Sequence, residues 1–540
     1  MYHILNPNLK DAKNNYGFRS LNNPPQLKEL KQFEDDLFNI VSNIEFISKK
    51  NEFQKQMQDD LITIKKSENI VICADKSQNM YSMPIQQYKE KLTENVTKEY
   101  RKCKRERIDL VNTEAAKIAR SLEIDDRIDS LPENKAFITI KDHKPDFPGR
   151  VECRLINPAK NHIGKISKNI LDRINKDVLT KTKLNQWKCT EDVIHWFNEI
   201  ENKHKKTFLK FDIVNFYPSI TKKLLIDALK WAKSMTEISE EEKNIILHCR
   251  RTFLYTENDC WNKKENQDFD VSMGSLDSAE VCEIVGLFIL FKLKNVLPQG
   301  NTGLYRDDGL AVLELPGPET ERLRKKIIQI FKENGLKITT EAHVKSTPFL
   351  DLDLDLTTNS YKPYRKDNKI PLYINSDSNH PSHVKKELPN MISKRVSQLS
   401  SSREIFNKEA PIYNEALKIA GYKQKLTYHP KEAPKKQRTR QRNILWFNPP
   451  WNDEVRTNVG KKFLALLDKH FPKGSIFHKY FNRNNVKVSY SCMPNFGTII
   501  CGINKAKMKI KPNKDKKECN CREGTEKCMI DGKCFSKNVI

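Results

Sequence analysis

Residues 302–315 read TGLYRDDGLAVLEL. Apolar runs flank a polar tip of Arg306, Asp307 and Asp308, and Gly309 follows. That is the pattern of a strand, a tight turn and a second strand. Asp is a common turn residue, so the acid pair alone carries little. It gains meaning from an upstream partner. TFLKFDIVNFYPSI (207–220) is an apolar strand that ends in a single acid, Asp212, and Pro218 stops the run. If the two strands pair, Asp212 at one strand end and Asp307 at the hairpin tip become neighbours. Three clustered carboxylates cannot all ionise without cations between them. Mg²⁺ suits such a site, because it takes a couple of carboxylates plus substrate phosphates. Two Mg²⁺ ions can clamp the attacking and leaving oxygens of an in-line phosphoryl transfer. Asp212, Asp307 and Asp308 are therefore the expected catalytic and metal-binding acids.

The whole composition agrees with a polyanionic partner. The 540 residues carry a formal net charge of +26, and the basic residues are spread along the chain. Nucleic acid is the usual match for such an excess. An amphipathic membrane helix would have gathered the charge in one place. Hydrophobic residues make up 37%, enough for real cores, and the length implies three or four domains. The first 20 residues hold no apolar signal core. The longest apolar stretch, near IVGLFILF, falls short of the ~20 residues a membrane span needs. Thirteen cysteines without a signal peptide predict a reducing intracellular compartment, nucleus or cytoplasm, and no disulfide framework.

Along the chain, residues 26–70 repeat Leu and Phe at helical spacing. NIVICAD (69–75) has a buried-strand pattern, and AFITIKDHKPDFPGRVECRLI (136–156) reads as two strands around a Pro- and Gly-containing loop. From 207 the pattern runs strand, helix, helix, hairpin, helix, strand. Residues 361–430 are polar and mostly helical. HPKEAPKKQRTRQR (429–442) is a basic linker or surface, and 443–510 form an aromatic-rich compact segment. No internal repeat of fixed period occurs.

FDIVNFYPSI, SMGSLDSAEVCEIVG (272–286), YRDDGL (305–310), ENGLKITTE (333–341) and FLDLDLDL (349–356) resemble, in order and spacing, motifs A to E of reverse transcriptases. YKPYRKDNKIPLYINSDSNHPSHVKKELPNMISKRV (361–396) is similar to the region after the palm in Penelope-like retroelements. So are ICADKSQNMYSMPIQQYKEKL and ITIKDHKPDFPGR upstream. The resemblance covers about residues 65–540. It implies an α+β right-hand polymerase. The expected parts are a helical N-terminal region (1–120), fingers (121–206), a palm with an antiparallel sheet (207–360) and a thumb (361–430). A basic linker with a compact segment (431–510) and a Cys-rich tail (511–540) would follow. The implied activity is RNA-directed DNA synthesis on an RNA template, extending a DNA primer with dNTPs. Tyr217 matches the residue that excludes the ribose 2′-OH. Gly274 matches the motif B glycine, where a missing side chain admits template or nucleotide. Lys141, Lys144 and Arg154 match fingers contacts to triphosphate and template, and Lys337 the motif D lysine. Two departures stand out. Leu276 and Asp277 follow Gly274-Ser275 where proline is usual, with Glu280 and Glu283 adding acids to the helix. Arg306 stands where many members carry a small apolar residue.

The tail ECNCREGTEKCMIDGKCFSKNVI resembles the Cys motif that precedes a GIY-YIG nuclease in those elements. Cys519, Cys521, Cys528 and Cys534 within so short a stretch make a candidate four-cysteine Zn²⁺ site; reduced cysteines in a Lys-rich tail are the alternative. The sequence ends soon after Cys534, so the expectation is a polymerase without its own nicking activity. Lys435, Lys436, Arg438, Arg440 and Arg442 are a phosphate-binding candidate, and Trp446, Phe447 and Trp451 could stack on bases or build a core. Two rival readings stay open: an RNA-templated RNA polymerase, and a degenerate element that binds nucleic acid without catalysis.

Overall fold

The computed structural model describes residues 28–509 apart from 49, 78, 123–133, 159–161, 258, 265–267, 298, 367–368 and 431–443. The four tail cysteines and the basic run 435–442 lie outside the described residues. The architecture is mixed α/β.

Helices α1 (Lys28–Ser42) and α2 (Glu52–Lys66) come first. The expected single helix across 26–70 is thus two. Short polar side chains favour local backbone bonds over a continued helix. Asn43 Nδ2 bonds back to the Asn39 carbonyl at 2.9 Å, and the Asn51 side chain caps α2 by accepting from the Gln54 amide. Strands β1 (Ile70–Cys73) and β2 (Met80–Met83), helix α3 (Ile85–Glu99), strand β3 (Tyr100–Lys102), helix α4 (Arg105–Ser121) and strands β4 (Phe137–Ile140) and β5 (Cys153–Ile156) follow. The hairpins β1–β2 and β4–β5 are joined by a bridge from Ala74 to Ile140. Ile70, Ile72, Met83, Tyr88, Ile138 and Ile140 close one small core between them.

The central portion holds α5 (His162–Thr182), β6 (Asn185–Gln186), α6 (Thr190–Glu199), β7 (Thr207–Ile213), α7 (Phe216–Ser219), α8 (Lys222–Lys233) and α9 (Glu240–His248). It continues through β8 (Leu254–Tyr255), β9 (Cys260–Lys263), α10 (Ser278–Leu293), β10 (Thr302–Tyr305), β11 (Asp308–Leu313), α11 (Gly317–Glu333) and β12 (Ile338–Val344). Five strands form one sheet in the order β12-β7-β11-β10-β6. Side chains alternate across it. Leu209, Phe211 and Ile213 of β7 and Ala311 and Leu313 of β11 enter the core shared with α5, α8, α10 and α11. Phe208, Leu310 and Val312 enter a second core on the opposite face. The run IVGLFILF lies in α10, and all of it except Phe291 is buried by this packing. Among the described residues no helix is long and apolar enough to cross a membrane.

A three-stranded sheet of β13 (Ser346–Phe349), β14 (Leu352–Asp355) and β15 (Ser360–Pro363) supplies Phe349, Leu352, Leu354 and Tyr361 to the second core. Helices α12 (Ser382–Gln398) and α13 (Arg403–Ile419) pack together through Ile392, Val396, Phe406, Tyr413 and Leu417. The last elements are β16 (Leu445–Phe447), α14 (Val459–His470), β17 (Val486–Val488) and α15 (Phe496–Lys509). They return to the start of the chain. Phe33 of α1 packs among Phe463, Leu467 and Phe471. Asn504 of α15 exchanges two hydrogen bonds with the Val71 backbone.

Candidate active site

Strand pairing places the acids. β7 and β11 are antiparallel, and Asp212 stands directly opposite Asp308. Alternation puts both on the face that carries Phe208 and Leu310. Asp307 belongs to the two-residue turn between β10 and β11, and its carbonyl accepts the Ile213 amide at 2.9 Å. Asp212 therefore pairs in register with the second acid of the pair, and Asp307 lies beside them at the tip. Gly309 makes this approach possible. A Cβ there would sit 2.0 Å from the Phe211 ring, well inside contact distance.

Opposing like charges across a strand pair is unfavourable, and the half-buried setting makes it worse. Burial pushes the Asp308 carboxyl up to about 6, with Asp307 and then Asp212 adding to the rise. Burial raises Asp212 too, followed by Asp307. Lys210 and Lys76 are the cations near enough to oppose both rises. Neither stood out in the sequence. Lys210 lies two residues before Asp212 on the same strand face, and its ammonium bonds the Pro348 carbonyl at 3.1 Å. Lys76 lies on the turn between β1 and β2. That turn is tied to the β4–β5 loop, because Asn79 and Tyr81 each donate to the Asp142 carboxylate at 3.0 Å and Ser77 donates to it as well.

The other expected residues fall into three places. Tyr217 is on α7, after the chain turns sharply at Asn215 (φ 49°), and not on the strand. Its ring packs against the main core, and Arg306 Nη1 donates to its hydroxyl at 3.0 Å. Gly274 has φ 119°, and a Cβ there would come 2.4 Å from the Asn157 carbonyl oxygen, so the motif B loop lies tight on the end of β5. Lys141 and Lys144 lie at the β4–β5 loop with Lys144 exposed, while Arg154 in β5 is ion-paired to Asp75 at 3.1 Å. Lys337 is exposed at the start of β12, and its carbonyl accepts the Val214 amide at 2.8 Å. The structure thus brings Asp212, Asp307, Asp308, Tyr217 and Arg306 together. Lys141, Lys144 and Arg154 belong to the neighbouring loop system, whose Lys76 approaches the acids.

The acids that depart from the motif B pattern each have a distant cation. Asp277 forms a fully buried pair with Arg250, which also donates to Ser278 at 3.1 Å. Glu280 pairs with Lys168 and Glu283 with Lys188. They fasten α10 to its surroundings. Near the C-terminus, Phe447 stacks on Phe463 at 3.9 Å, Trp451 packs edge-on against Tyr490, and Trp446 is exposed.

Among the described residues no group of three or more His, Cys, Asp or Glu forms a ready-made metal cage. Mg²⁺ does not need one, because it keeps waters and takes part of its shell from substrate phosphates. The facing carboxylates Asp212 and Asp308, held half-buried with raised proton affinity, fit such a cation.

Residues 372–431, which take in α12 and α13, match a family model described as the animal helix-turn-helix domain. No curated protein matches the chain. Among solved structures the chain is similar to telomerase from Candida albicans in complex with a TWJ fragment of telomeric RNA. That match has 14% identity and a TM-score of 0.44, and covers 65% of this chain and 60% of that one. Apo telomerase from Candida tropicalis is similar at 12% identity and a TM-score of 0.41, covering 73% of this chain and 74% of that one. The RNA-dependent RNA polymerase of a human picobirnavirus is similar at 10% identity and a TM-score of 0.38, covering 75% and 86%. The chain spans 63% of the length of a C-terminally truncated telomerase of C. tropicalis. These likenesses are distant.

Proposed function

We propose that the chain is an RNA-directed DNA polymerase of the kind found in Penelope-like retroelements. The observation that carries this reading is the cross-strand pair of Asp212 and Asp308, with Asp307 at the adjoining turn. Opposed half-buried carboxylates repel each other; a proton on Asp308 relieves this below about pH 6, and a bound cation would relieve it above. The order and spacing of the five sequence motifs support the same reading.

Asp212, Asp307 and Asp308 would hold two Mg²⁺ ions. Those ions, when bound, stabilise the attacking primer oxygen and the departing pyrophosphate. Tyr217, held near the acids by Arg306, would exclude a ribose 2′-OH. Gly274 would let the motif B loop lie close on the end of β5, next to the path proposed for template or nucleotide. Lys141 and Lys144, with Arg154 beside them in its ion pair with Asp75, would supply positive charge for the triphosphate and template, and Lys337 would donate a proton to pyrophosphate. The regions proposed from the sequence as fingers, palm and thumb would wrap the hybrid. The tail cysteines would hold Zn²⁺. The protein would work inside the cell, in nucleus or cytoplasm.

Primer extension on a homopolymer RNA template, with each dNTP or NTP, tests the proposal. Extension with dNTPs in Mg²⁺ is expected, and Asp212→Asn or Asp307→Asn should abolish it while hybrid binding persists. Near-normal turnover in Asp307→Asn would overturn the assignment of the acids.

A further inference from the structure

Arg306 is the residue that the motifs leave unexplained. It is an exposed, charged side chain at the tip of the β10–β11 turn, in the tripeptide that carries the catalytic acids. Its φ of 53° puts a non-glycine residue in the left-handed region, which costs about 1 kcal/mol and needs a compensating contact. The contact is with Tyr217: Nη1 donates to the phenol oxygen at 3.0 Å across 89 residues of sequence. The ring is held from the other side as well. Its body packs on the main core, which also holds the buried Cys282 of α10.

We infer that Arg306 is a positioning residue for sugar selection, fixing the Tyr217 ring so that it cannot swing away from an incoming ribose 2′-OH. The inference rests on the polymerase reading and deepens it. A gate works only if moving it costs more than the clash it creates. Tyr217 sits on a single helical turn, the four residues of α7, after a left-handed Asn215, so the local backbone is a short and weak anchor. A guanidinium from the opposite hairpin ties the gate to the same turn that carries Asp307. The gate and the acids then hold their spacing together. An Arg at this position keeps its charge at any working pH and presents a planar fork of donors, so it can hold the phenol while other N–H groups remain for the nucleic acid.

The test uses the full chain with an RNA–DNA hybrid, comparing kcat/KM for a dNTP and the matching NTP in wild type, Arg306→Met and Arg306→Lys. Arg306→Met keeps the length and loses the donor. Its preference for dNTP should fall about tenfold, the change that one hydrogen bond of about 1.4 kcal/mol sets. Arg306→Lys should retain most of the preference. An unchanged preference in Arg306→Met, with weakened hybrid binding instead, would make Arg306 a backbone-phosphate contact and overturn the inference. A second measurement does not need turnover. With 3-fluorotyrosine at position 217, the ¹⁹F line of the free protein should shift or broaden in Arg306→Met and not in Arg306→Lys. If wild type extends no primer, the polymerase reading fails, and this spectrum decides the pinning by itself. A line identical in all three proteins overturns it.

Discussion

Asp308→Asn should make the protein more stable and inactive at once, and the size of the gain follows from the site. In the folded chain the Asp308 carboxyl keeps its proton up to about 6, against an ordinary value of 3.8. Burial is the first cause, and the neighbouring Asp307 and Asp212 are the next. A group whose folded value is raised gives its full contribution below its unfolded value and loses it as pH rises through the folded one. Between about pH 4 and pH 6 the unfolded chain therefore releases the proton that the folded chain still holds, and folding becomes less favourable. Above that window the cost is constant. A gap of about two pH units at about 1.4 kcal/mol each sets a ceiling near 3 kcal/mol. The carboxylate keeps some contact with water, so about 2 kcal/mol is the expected figure.

The assay is urea unfolding of wild type and Asp308→Asn, without divalent cations, at pH 8 and pH 4. The variant should be more stable by about 2 kcal/mol at pH 8 and equal to wild type at pH 4, where the folded carboxyl is already neutral. Added Mg²⁺ should raise wild type and leave the variant nearly unmoved, since a ligand stabilises only the state that binds it. A variant less stable than wild type at pH 8 would refute the reasoning. So would a gain of equal size at both pH values, because that would come from packing and not from charge.

Gly309→Ala should lose soluble folded protein or unfold about 2 kcal/mol more easily, because its Cβ would lie 2.0 Å from the Phe211 ring; urea unfolding reads this. Asp277→Asn should cost about 3–5 kcal/mol, since it leaves the fully buried Arg250 without its counter-charge. Replacing both partners with apolar residues should cost less, and equal losses in the two proteins would remove the pair from the explanation. Binding to an RNA–DNA hybrid should weaken with a log–log salt slope of about −4 or steeper, as several phosphate contacts require. A flat dependence would assign the excess positive charge to something else.

That Asp212 meets the hairpin acids was legible because a strand end and a hairpin tip become neighbours once the strands pair; the register, which sets Asp212 opposite Asp308 and not Asp307, was not. Nor was the break between α1 and α2, since helical periodicity persists through residues 43–51 while Asn43 and Asn51 satisfy backbone groups locally. Tyr217 stands out through its match to motif A, in a run that reads as strand. One left-handed residue, Asn215, turns the chain and moves it onto α7. Lys76 and Lys210 look like any solvated lysine, because nothing in their own neighbourhood of sequence reports the acids they face.

The acids of α10 show the same limit from the other side. Asp277, Glu280 and Glu283 looked like a departure in the nucleotide-binding motif. Their partners Arg250, Lys168 and Lys188 lie 27, 112 and 95 residues away in the chain. A charge pattern on one helix shows which side chains need partners and not where the partners come from. This separates two kinds of acid within one small region. Those with a matched cation inside the fold are neutralised permanently and hold α10 in place. Asp212 and Asp308 face each other with Lys210 and Lys76 only near enough to soften the repulsion. A chain that can neutralise a buried Asp277 with a dedicated arginine has left the strand-end pair without one, and that contrast is the physical argument behind the proposed cation site.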